Sequence, residues 1–151
     1  MLVSDLLSTE RVLPNVRVSS KKRLLELISK ALVQHDRSLD HREVFESLCA
    51  RERLGSTGLG NGIAIPHGRV QGSEAVQAVF VRLVKPLPFD AADSKPVDLL
   101  FALAVPENCT ADHLKLLSQI AEKFSDAALL EKLRTAEDAA ELVHLLSEAH
   151  H

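Results

Sequence analysis

Glycine is confined to one stretch of this chain. All six glycines fall between Gly55 and Gly72, and most sit in the run Gly55-Ser56-Thr57-Gly58-Leu59-Gly60-Asn61-Gly62-Ile63-Ala64-Ile65-Pro66-His67-Gly68-Arg69. A residue without Cβ lets the backbone bend tightly and approach a neighbour or ligand closely. The rest of the chain must therefore be built from ordinary helices and strands. One segment alone has the freedom of a built loop, and a lone histidine stands near its end.

The remaining sequence reads as one α/β layered domain over 1–151, with a core of about 5–148. At 151 residues, 46% hydrophobic and 26% charged, the chain can bury a single core. Its net charge of −3 argues against broad nucleic-acid binding. Only Cys49 and Cys109 are present, which fits a reduced, cytoplasmic chain better than a disulfide scaffold. The first residues lack the basic and apolar regions of a signal peptide, and no apolar run approaches membrane-spanning length. His150 and His151 can belong to a purification tag and are assigned no function.

Several elements can be placed. Ser19-Ser20 precedes a helical pattern to about Gln34, with Leu24, Ile28, Ala31 and Leu32 on one stripe. Asp40 and Glu43 have capping-box spacing. The helix they open should turn Val44, Phe45, Leu48 and Cys49 inward and stop at Gly55. Gly62 to Ile65 reads as a short strand closed by Pro66. Ala78 to Val84 reads as a strand with Val79, Val81 and Leu83 on one face, followed by a turn region at Pro86, Pro88 and Asp90. Leu99 to Val105 is apolar on both faces, as a covered central strand should be. Thr110 is placed as the cap of a helix to about Phe124, and two further helices are expected near 128–134 and 137–148. This pattern does not specify the order of the strands.

The glycine run lacks the Gly-Lys-Ser/Thr ending of a nucleotide loop, and the strand-like Ile63-Ala64-Ile65-Pro66 replaces the helix of a dinucleotide fingerprint. The chemistry points instead to His67. A nucleophilic imidazole needs a neutral ring with one nitrogen free and the other held by a hydrogen bond. Pro66 restricts the chain before it, and Gly68 is expected to let the chain turn after it. The ring would then stand at a strand end with few bulky neighbours.

The run from Arg51-Glu52 through Gly55 to Gly68 resembles the phosphorylation-site motif of enzyme IIA components of the bacterial phosphoenolpyruvate-dependent phosphotransferase system, mannitol/fructose class. Ser20-Lys21-Lys22-Arg23, Pro88-Phe89-Asp90-Ala91 and Pro96-Val97-Asp98-Leu99-Leu100-Phe101-Ala102-Leu103 are similar to its nitrogen-related branch, and the likeness covers about residues 5–148. It implies a mannitol-type fold with a central mixed sheet flanked by helices. It also implies that His67 accepts a phosphoryl group, on the nitrogen far from Cβ, from the phosphohistidine of a small carrier protein. Regulatory target proteins concerned with nitrogen and potassium would then sense the phosphorylation state. The alternative is a sugar-specific component passing phosphate to a fructose- or mannitol-type permease. No bound nucleotide, metal or other cofactor is needed, because the donor arrives activated. No membrane insertion is implied, and weak self-association is compatible with the pattern.

The same likeness makes His113 a second active-site histidine. The first turn of its helix would favour a nearby anion and a neutral ring. The other reading of His113 is a buried core histidine on the stripe with Leu116 and Leu117. Arg51 is either a clamp on phosphate, for which a planar, permanently charged fork is suited, or a helix-end charge, with Arg53 as a nearby competitor. Ser56 and Thr57 can donate to phosphate oxygens or simply cap the loop. A zinc site built on Cys109 and His113 would need two further ligands, and no convincing fourth is present.

Overall fold

The computed structural model describes residues 5–72, 75–91, 93–108 and 110–148, with the side chains at 110 and 112 set aside. After a 3-10 turn at Thr9–Arg11 the order is β1 (Val12–Val16), α1 (Lys21–Val33), α2 (His41–Leu54), β2 (Gly58–Gly60), β3 (Ile63–Ala64), β4 (His67–Val70), β5 (Gln77–Leu87), β6 (Val97–Pro106), α3 (Thr110–Lys123), α4 (Ala127–Thr135) and α5 (Ala139–Ser147). The strands form one mixed sheet in the order β1-β5-β6-β3-β2, with β4 also on β6. β5 is antiparallel to β6, whereas β3 and β4 run parallel to it.

β6 is central because its residues are apolar on both faces. Leu99, Phe101, Leu103 and Val105 join the core packed with Leu116, Ile120 and Phe124 of α3 and the leucines of α4 and α5. Leu100, Ala102 and Ala104 join the opposite core, against Leu24, Ile28 and Leu32 of α1 and Val44 and Leu48 of α2. β5 alternates as its sequence predicts, with Val79, Val81 and Leu83 facing α1 and α2 and Phe80 facing α3. The helix starts are held by side chains: Ser20 accepts from the Arg23 amide, Asp40 from Glu43 and Asp138 from Glu141.

The bounds of the elements differ from those expected in four places. β1 is an added strand, unread because Pro14 interrupts it; as an edge strand parallel to β5 it tolerates a residue without an N–H. β5 continues through Pro86 to Leu87, where a register slip between Arg82 and Leu87 accommodates the proline. The expected strand at Gly62–Ile65 is shorter, and it resumes after Pro66 as β4. α3 begins at Thr110 itself, so Thr110 opens the helix rather than preceding it; its side chain, Cys109, His150 and His151 lie outside the described residues.

Candidate functional site

Ile65 and Pro66 interrupt the parallel pairing along β6. β3 pairs with β6 up to Ala64↔Leu100, and β4 resumes the pairing at His67↔Leu103. Between them the Pro66 carbonyl accepts from the Leu103 amide at 2.9 Å, while the Ile65 amide turns to the Thr57 carbonyl at 3.0 Å. The Ile65 carbonyl lies 2.8 Å from Nδ1 of His67. A carbonyl can only accept, so this contact puts the ring proton on Nδ1 and leaves Nε2 with its lone pair.

His67 is half-buried. Burial pushes its pKa below the usual imidazole value. The positive charges of Arg51 and Arg69 push the same way, while the Ile65 hydrogen bond and the Glu52 carboxylate oppose them. The ring is thus neutral near pH 7, with one nitrogen fixed and the other available.

Gly68 does not turn the chain, contrary to the expectation; it lies within β4, and its role is close packing. A Cβ there would stand 2.4 Å from Ser47 Oγ and 3.1 Å from the Ser47 carbonyl carbon. Ser47 Oγ in turn donates to the Arg69 carbonyl at 2.7 Å. α2 is thereby keyed onto β4, which sets where its last turn ends. Gly62 does need glycine's freedom: its φ is +83°, and a Cβ would meet the Arg134 guanidinium. That guanidinium forks onto both Asp98 oxygens at 2.9 Å and also reaches the Asn61 carbonyl, fastening the loop to β6.

Arg51 lies in the last turn of α2, and its Nη1 donates to the Gly55 carbonyl at 2.7 Å. A guanidinium has five N–H groups, so this bond leaves capacity for an anion. Arg53 is exposed, and its positive charge partly offsets the rise that burial gives the Cys49 thiol pKa. Ser56 Oγ donates to the Phe89 carbonyl at 2.7 Å, and Thr57 Oγ1 donates to Glu52. Each hydroxyl has a single proton, so both are engaged by the protein and neither has a donor left for phosphate in this arrangement.

His113 is only 5% exposed. It sits in the first turn of α3, the helix packed on the sheet face to which Leu103 contributes. His67 pairs with Leu103 while Gly68 faces Ser47 of α2, so strand alternation puts His67 and His113 on the same side of the sheet. Among the described residues no group of three or more His, Cys, Asp or Glu side chains could hold a metal ion. No described helix is long and apolar enough to cross a membrane.

Arg69 and Glu52 also act on the ring, and the sequence motifs assign a role to neither. Arg69 follows His67 by two positions in a strand, so period-two alternation alone would have put it on the same face.

This is an α/β domain presenting a neutral imidazole beside a cationic helix end, and its family can be stated. Residues 5–149 match the family described as "Phosphoenolpyruvate-dependent sugar phosphotransferase system, EIIA 2", and the chain belongs to it. It is similar to the nitrogen regulatory protein of Klebsiella oxytoca, at 44% identity over 149 residues covering 97% of this chain and 91% of that one. The crystal structure of nitrogen regulatory protein IIA-Ntr from Neisseria meningitidis superposes with a TM-score of 0.91 at 45% identity, covering 95% of this chain and 98% of that one. IIA mannitol from Escherichia coli shares the fold, with a TM-score of 0.78 at 22% identity over 93% of this chain and 98% of its own. The mixed-sheet, mannitol-type architecture and the nitrogen-related likeness expected from the sequence are both found.

Proposed function

We propose that this IIA protein carries a phosphoryl group on Nε2 of His67 and regulates other proteins by whether that group is present. The observation that carries the reading is the Nδ1–H donation to the Ile65 carbonyl at 2.8 Å. It leaves the far nitrogen as the nucleophile. The Nε2 lone pair attacks phosphorus, and the P–N bond to the donor protein's imidazole breaks. The bonding pair returns to the donor nitrogen. His67 loses no proton on attack; its ring becomes cationic with Nδ1–H still on Ile65, whose carbonyl stabilises the charge. One P–N bond replaces another, so the step is close to balanced and reversible.

Arg51 would clamp the phosphoryl oxygens. His113, in the first turn of α3, would add a ring N–H beside a helix end that favours anions. Exposed leucines suit docking of the carrier: Leu54 (85% exposed) follows Arg51, Leu59 (48%) rides on the glycine loop, and Leu114 (66%) is next to His113. The relatives named nitrogen regulatory protein favour regulatory targets over transport. The sugar-specific reading keeps support from the family's own description.

Incubation with phosphoenolpyruvate and the purified general relay proteins, followed by mass mapping, tests the assignment. Acid-labile phosphate should appear on His67 and be absent from the His67→Ala variant; full labelling of that variant overturns it. Transfer onward to a sugar permease subunit would favour the second reading.

A further inference from the structure

We propose that Glu52 is a positioning residue for His67, acting through Thr57 and Ile65; this rests on the reading of His67 as the phosphoryl acceptor. The Glu52 side chain is 5% exposed. A carboxylate so buried is unfavourable unless its oxygens are paired. Oε2 meets Lys21 Nζ at 2.8 Å. Oε1 accepts the Thr57 amide at 3.0 Å and the Thr57 hydroxyl as well. Lys21 is itself anchored, donating to the Phe89 carbonyl at 3.2 Å and lying 4.3 Å over the Phe89 ring.

Thr57 is therefore held at two atoms by one oxygen. Its carbonyl then receives the Ile65 amide at 3.0 Å. Ile65 falls between the Ala64↔Leu100 and His67↔Leu103 pairs. The proline after it has no N–H to hold this stretch in the ladder. The orientation of Ile65 thus depends on Thr57, and Ile65 supplies the acceptor for His67 Nδ1. A continuous line of polar contacts runs from Lys21 through Glu52, Thr57 and Ile65 to the nucleophile's ring. Neighbouring residues of α2 divide the work: Arg51 grips the Gly55 carbonyl, and Glu52 grips Thr57.

Glu52 touches neither His67 nor, on this account, the phosphoryl group. Its effect is on which ring nitrogen carries the proton. The test is a long-range proton–nitrogen NMR spectrum of the imidazoles in the full-length protein near pH 7, combined with phosphorylation kinetics. In the wild type, His67 should show one tautomer, protonated at Nδ1. In Glu52→Met, which removes the acceptor of both Thr57 contacts, the two ring nitrogens should move towards a common averaged shift. Phosphorylation at saturating carrier should slow about 10- to 100-fold, the range for a misplaced reacting group, with KM for the carrier unchanged.

Thr57→Val should shift the tautomer in the same direction, and Thr57→Ser, which keeps the hydroxyl, should match the wild type. A folded Glu52→Met protein with the wild-type tautomer and rate overturns the proposal. If that variant does not fold, Thr57→Val decides by the same spectrum. The tautomer is read without any phosphoryl transfer, so a wild type that takes no phosphate on His67 defeats the functional reading and leaves the Glu52 link separately decided.

Discussion

Replacing Gly68 with alanine should destabilise the protein by a predictable amount. The backbone there is ordinary strand, so strain in φ is not the cause. The cause is space: the new Cβ would stand 2.4 Å from Ser47 Oγ, 3.0 Å from Ser47 Cβ and 3.1 Å from its carbonyl carbon. The hydroxyl can rotate away, but it then gives up the bond to the Arg69 carbonyl, a loss of about 1 kcal/mol. The helix backbone cannot rotate, and overpacking of this kind costs about 1–3 kcal/mol. The total is about 2–4 kcal/mol, which for a chain of this size lowers Tm by roughly 5–15 °C. Urea denaturation at unchanged m-value measures it. Ser47→Gly combined with Gly68→Ala should be less destabilised than the two single changes added, by about 1–2 kcal/mol, because the side-chain part of the clash has gone. A Gly68→Ala protein within about 0.5 kcal/mol of wild type, or strict additivity in the pair, would refute the steric account.

Further outcomes are expected elsewhere in the molecule. Arg82 is 9% exposed and donates to the Pro14, Leu133 and Ala136 carbonyls, tying β1 to the end of α4. Arg82→Met should remove about 3 kcal/mol, the range for charged hydrogen bonds whose buried acceptors lose their partner, measured by chemical denaturation. Arg51→Ala should slow phosphorylation of His67 or hasten hydrolysis of the phosphoprotein; rates equal to wild type would remove the clamp role. The lowered pKa of His67 carries a pH signature. Its stabilising contribution is fully present above the usual value near 6.5 and is lost as pH falls through the lowered folded value, because the unfolded ring takes the proton more readily. The urea midpoint should therefore fall less with acid in a His67→Gln variant than in the wild type.

The legible parts of this fold were those decided by local pattern. β6 could be read from an apolar run with no polar face, and α2 from an aspartate three residues before a glutamate and a glycine at its end. His67 could be singled out as a candidate because proline and glycine flank it within the only glycine-rich segment. The illegible parts were decided by contacts across the chain. Pro14 reads against a strand until β1 is seen to be an edge. Gly68 looks like a turn residue until Ser47 is seen against it. Ser56 and Thr57 look like phosphate donors until Phe89 and Glu52 are found holding their protons. Arg82 looks like an ordinary strand residue until the carbonyls at the end of α4 are seen around it.

The charges around His67 serve both halves of the proposed reaction. A phosphoryl acceptor must stay unprotonated before transfer and must hold an anionic group after it. A carboxylate beside the ring would raise its pKa and repel the product, failing on both counts. Arg51 and Arg69 do the reverse, disfavouring the imidazolium and favouring a phosphoryl group at the same place. Glu52, the nearby carboxylate, opposes them but by less than Arg51 alone pushes the other way, and its oxygens are engaged by Lys21 and Thr57. The site therefore needs no change in protonation at the attacking nitrogen between its two states. That suits a carrier whose bound phosphate must leave as readily as it arrives.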